Sequence, residues 1–113
     1  MDVAAVISHL YPNARASIMD NDYSTLLWDE SNTAPKPTLA DLEAAWPAVR
    51  DARAWDRIRA ERDRLLTGCD WTQIADAPVD ATAKQAWADY RQALRDVPQD
   101  FATPEEVVWP EAP

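Results

Sequence analysis

Apolar positions recur along this chain with two different periods. Val3, Val6, Ile7 and Leu10 fall at the three- and four-residue spacing of one helical face, with Asp2 placed to cap the start and Pro12-Asn13 to end it. The runs at 14–19 and 24–28 are β-compatible instead, and Asp20-Asn21-Asp22-Tyr23 between them has the residues of a turn, which predicts a small hairpin. A two-stranded ribbon is marginal in water, so it must pack on the first helix or on a partner. The helical period returns after Pro35 and Pro37. Thr38 and Asp41 make a capping-box variant there, and Leu39, Leu42, Ala45 and Trp46 follow at helical spacing.

Pro47 interrupts that pattern. Inside a straight helix a proline removes one ladder bond and clashes with the carbonyl four residues back, at about 3 kcal/mol, whereas the first turn of a helix accepts it. The expectation is a break or kink near Trp46, most simply a fresh helix over 47–67 closed by Gly68. Its inner stripe runs through Val49, Ala52, Trp55, Ile58, Arg62, Leu65 and Leu66. Beyond the connection at 67–81, Thr82 and Gln85 form a second capping-box candidate, with Asp80 a competing cap. Trp87, Tyr90, Leu94 and Val97 share one face of the helix that follows, Arg91 and Arg95 fall on the outward side, and Pro98 ends it. Two facing stripes joined by a folded corner predict an antiparallel hairpin. Residues 99–113 hold three prolines and four acids and read as extended. The expected fold is therefore mainly α: an antiparallel helical hairpin with a small N-terminal α+β segment (helix plus β-hairpin) and an extended C-terminal tail. The segments divide at 1–37, 38–97 and 98–113.

At 113 residues the chain has room for one domain, or a small helical unit with an appendage, so a large enzymatic cleft would have to come from a partner. The net charge of −9 argues against nucleic acid and anionic membrane as partners, because both demand cations. The charge is uneven, with acids and bases matched between 46 and 97 and the acidic excess at the two ends. Arginines interrupt the acidic runs in the middle, which also argues against an acidic mimic of nucleic acid. Without a run of about 20 apolar residues or an apolar leader, the chain reads as soluble and intracellular.

Candidate chemistry is sparse. The single histidine, His9, has no nucleophile and orienting acid near it in sequence, a single glycine makes no phosphate loop, and Cys69 has no second cysteine to bond. No cofactor, metal or small-molecule substrate is expected, and the chain reads as a non-enzyme. Six tryptophans are the unusual resource, and tryptophan with arginine dominates interface hot spots. Trp55 and Trp87 are expected in the core with Tyr90 and Leu94, and Trp71 is expected to clamp the corner. Arg62, in line with Ile58 and Leu65, needs an acidic partner such as Asp70 or Asp76, a snorkelling side chain being the alternative. Trp28, Trp46 and the Val107-Val108-Trp109 run are the candidate partner contacts, with packing against the chain's own helices as the alternative.

Four motifs follow one another between 59 and 113: Arg62-Asp63-Arg64-Leu65-Leu66, Asp70-Trp71-Thr72-Gln73, Tyr90-Arg91-Gln92-Ala93-Leu94-Arg95-Asp96 and Val108-Trp109-Pro110. In this order they resemble the terminal region of the tail-assembly chaperone and tail-fibre-assembly proteins of tailed bacteriophages. The resemblance implies a chaperone that binds a phage tail or tail-fibre protein and assists its folding, oligomerisation or attachment. It places the chain in the host bacterial cytoplasm during assembly. The alternative is a permanent structural component of the tail tip, baseplate or fibre attachment region, retained in the virion tail. Residues 1–46 match the family only loosely, through Trp28-Asp29 and Pro37-Thr38-x-x-Asp41-Leu42, and that segment is expected to choose the partner.

Overall fold

The computed structural model describes residues 1–113. Three helices, α1 (Val3–Leu10), α2 (Leu39–Gly68) and α3 (Ala81–Asp100), are joined by a two-stranded antiparallel sheet of β1 (Ala16–Ser17) and β2 (Leu27–Trp28) and by short 3-10 turns. The chain is mainly helical, as the periodicity predicts. It divides into two compact units, Met1–Ala52 and Arg53–Pro113, with the division inside α2.

In the first unit, the Asp2 carboxylate caps α1 by accepting from the Ala5 amide at 3.0 Å. The turn between the strands places Asp20 and Asn21 in the left-handed region, at φ 51° and 58°. Asn21 compensates for that conformation with two bonds: its Oδ1 accepts from the Val3 amide and its Nδ2 donates to the Met1 carbonyl. The strands are only two residues each, paired Ala16 with Trp28 and Ser17 with Leu27. They are shorter than the β-compatible runs because the Tyr23–Thr25 turn takes up the neighbouring groups: the Met19 amide donates to the Thr25 hydroxyl, which lies 2.7 Å from the Asp22 carbonyl. The core beneath consists of Val3, Val6 and Ile7 from α1, Leu26 from the hairpin, and Leu42 and Val49 from α2.

That core explains what Pro47 does. The expected break near Trp46 is absent, and α2 runs through Pro47 without interruption. Leu42 and Val49 stand seven residues apart, on one face and on either side of the proline, and both are buried, at 0% and 2% exposure. A break would swing one of them out of the core, and burial of two aliphatic side chains outweighs one lost ladder bond. The start of α2 is as expected, with Thr38 Oγ1 accepting from the Asp41 amide and the Asp41 carboxylate accepting from the Thr38 amide, each at 3.1 Å.

In the second unit the latter part of α2 and α3 form the antiparallel hairpin. Gly68 does not close α2 with a left-handed residue; it is helical, and the chain leaves through Cys69 into a 3-10 turn at Asp70–Gln73. Asp80, rather than Thr82, caps α3, accepting from the Ala83 amide at 2.7 Å. Pro98 does not end α3, which continues to Asp100 because the proline costs a single bond in the last turn while Leu94 and Val97 hold the helix in place at 0% and 2% exposure. The C-terminal segment is also less uniform than a plain extended tail. Pro104–Glu106 make a 3-10 turn whose Glu106 carboxylate accepts from the Ala102 and Thr103 amides, with Phe101 and Thr103 extended before it and Val107 extended after it.

Candidate functional site

The corner between α2 and α3 is built from one tetrapeptide and one arginine. In Asp70–Gln73, three side chains are spent on fixing the turn. The buried Thr72 hydroxyl donates to the Cys69 carbonyl at 2.7 Å, Gln73 Nε2 donates to Thr72 Oγ1 and to the Lys84 carbonyl, and the Asp70 carboxylate takes Arg91 at 2.6 Å. The fourth, Trp71, is left 46% exposed.

Arg91 is the centre of this arrangement. Only 8% exposed, it donates from Nη1 to the Leu66 carbonyl at 2.8 Å and to Cys69 Sγ at 3.1 Å, and from Nη2 to Asp70. One planar guanidinium thus closes the end of α2, the turn and α3 together. Burial works against its charge, but the bonds it donates to Asp70 and Cys69 outweigh that and raise its pKa above the ordinary arginine value. This overturns two expectations. Arg91 does not face outward, and Arg62 does not reach Asp70 or Asp76; its Nε pairs with the adjacent Asp63 at 3.0 Å. The signal for Arg91 was present in the helical spacing, since it lies four residues after Trp87 and three before Leu94, on the same stripe. A charged residue in an apolar stripe reads as an edge position until its acceptors, two of them backbone or sulfur, are in view.

Held this way, the corner presents a row of three aromatic rings. Trp71 lies 6.1 Å from Trp87 at a tilted 58°, and Trp87 lies 5.7 Å from Tyr90, edge to face at 76°. Ile74, 52% exposed, extends the apolar surface from the turn. Trp87 and Tyr90 are partly buried, whereas Leu94 farther along α3 is fully buried.

The other predicted residues do not belong to this row of rings. Trp28 and Trp46 pack, partly buried, against the first core; the Trp28 indole donates to the Ala34 carbonyl at 2.9 Å and meets Tyr11 edge on at 5.4 Å. Trp55 is partly buried on α2. Of the C-terminal run, Val107 and Trp109 are half-buried and Val108 is 71% exposed, and Trp109 lines one groove with Ala54, Arg57, Ile58 and Glu61 of α2. A cleft of about 530 Å³ in the first unit lies between Tyr11, Arg15, Trp28 and Asn32. Asn32, in its wall, both accepts from the Arg15 amide and donates to the Arg15 carbonyl.

A family model described as phage tail assembly chaperone protein matches residues 55–113, just over half of the chain. The matched stretch coincides with the second unit, Arg53–Pro113, apart from its first two residues, and therefore holds the corner, the ridge and the C-terminal segment. No curated protein and no solved structure matches the chain.

Proposed function

Since the chain belongs to the phage tail assembly chaperone family and takes part in phage tail assembly, we propose that it binds an immature tail or tail-fibre protein through the Trp71–Trp87–Tyr90 ridge. The ridge covers apolar surface on that protein until it folds, oligomerises or attaches, and then releases it. The action is binding rather than chemistry, in the host cytoplasm during assembly. The observation that carries the reading is the exposure of Trp71: three neighbours of the same motif are bonded down, and the large aromatic between them is turned to solvent. A tryptophan held out on a rigid corner binds with little loss of conformational freedom, which is the character of an interface anchor.

Co-expression with the neighbouring tail gene products, followed by affinity capture, tests this. Trp71→Ala is expected to keep the unfolding midpoint within a few degrees while weakening capture by about 2 kcal/mol, some thirtyfold. Undiminished capture by Trp71→Ala defeats the reading. A chaperone is also expected to be missing from purified virions, and stoichiometric presence there would favour a permanent tail component.

A further inference from the structure

We infer that the groove on α2 beneath Trp109 is a second binding site, made for an extended partner segment in which aromatic and aliphatic residues lie between acids, and that the chain's own C-terminus is its resident occupant. The groove is walled by Ala54, Arg57, Ile58 and Glu61, the last paired with Arg64, with Pro104, Glu105 and Trp109 of the resident segment across from them, and about 340 Å³ remains open beside that segment. The occupant does not fill the site.

Two observations identify the occupant's chemistry. Residues 99–113 carry Asp100, Glu105, Glu106 and Glu111 and no base, whereas the facing stretch 53–64 carries five arginines against three acids. Within that stretch Arg59 pairs with Asp56, Arg62 with Asp63 and Arg64 with Glu61, which leaves Arg57, in the groove wall, without an ion partner and available to an acidic ligand. The resident segment is also loosely held. Its hydrogen bonds are local, from Glu106 back to Ala102 and Thr103 and from the Val107 amide to the Pro104 carbonyl, and beyond Val107 only side-chain packing, chiefly of Trp109, keeps it on α2. A segment tethered in this way competes for the groove at high effective concentration, but a partner with the same chemistry and a better fit to the open space displaces it.

The inference rests on the reading that the chain captures a protein partner. The assay below addresses the groove alone, so the two can fail separately. A fluorescein-labelled peptide of residues 103–113 is titrated against three full-length proteins and its anisotropy followed. Trp109→Ala, which loosens the resident segment, is expected to bind the peptide at least about tenfold more tightly than the wild type. Adding Ala54→Glu, a good helix former that sets a negative charge under the occupant, is expected to abolish binding. Equal binding by wild type and Trp109→Ala, or binding unaffected by Ala54→Glu, overturns the site. Should Trp109→Ala not fold, hydrogen exchange on the wild type decides. The amides of Val108, Trp109, Glu111 and Ala112 are expected to exchange at unprotected rates in half-molar salt while α3 stays protected, and equal protection overturns the inference. Sedimentation distinguishes the remaining occupant, since a wild-type dimer dissolved by Trp109→Ala would assign the groove to a second copy of this chain.

Discussion

Arg91 and Trp71 divide the corner between stability and recognition. Arg91 serves a carbonyl, a sulfur and a carboxylate from one buried position, and no other side chain has the donors and the planar fork to do so. Arg91→Leu is therefore expected to cost about 1–3 kcal/mol in urea unfolding; the loss stays below that of a fully buried ion pair because Asp70 is largely in water and is solvated when its partner goes. Arg91→Lys should recover only part of it, since an ammonium reaches one or two of the three acceptors. The sequence made the Trp71 corner legible but not its polarity: the tetrapeptide reads as a clamp with the indole inside, whereas the polar side chains are the clamp and the indole is what it holds out. That inversion depends on Lys84 and Arg91 arriving from α3, and no local pattern in Asp70–Gln73 announces them.

The elements show which rules are local and which yield to packing. Caps lie within four residues of the groups they bond, so Asp2, Thr38 with Asp41, and Asp80 among its competitors can all be read from the chain itself. The two prolines could not, because continuation of a helix through Pro47 is decided by Leu42 and Val49 meeting α1 and the hairpin, and continuation through Pro98 by Leu94 and Val97. Pro47 thus remains a burden that the first core sustains. It is exposed and inside the helix, so Pro47→Ala is expected to restore a bond to the Glu43 carbonyl and raise stability by about 1–3 kcal/mol, read as a higher denaturant midpoint. A lower midpoint would show that the proline holds a bend the first core requires.

For the whole molecule, the two facing stripes of the hairpin are plain in the sequence, but the division between Ala52 and Arg53 is not, because it falls in an unbroken helix with no loop or breaker to mark it. The acidic surplus sets a second behaviour at this scale. Asp22 is held below its ordinary range by the Ser24 amide and hydroxyl, Asp29 by the Ser31 hydroxyl and amide, and Glu61 by its bond from Arg64. Groups whose pKa is depressed in the folded chain stabilise it above the unfolded value and lose that contribution as protons bind. Melting temperature is therefore expected to hold level between about pH 8 and 6 and to fall below about pH 4.5. A melting temperature that rises on acidification would mean that relief of the −9 charge outweighs these bonds. Finally, Trp71 and Trp87, 6.1 Å apart and tilted by 58°, are close enough for their excited states to couple. Coupled indoles add a pair of bands of opposite sign to the circular dichroism spectrum, overlapping the helical signal. Helix content taken from ellipticity alone is then misjudged in the wild type, and Trp71→Ala or Trp87→Ala changes the spectrum with every helix intact. The same couplet is a built-in, label-free optical gauge of whether the corner is occupied.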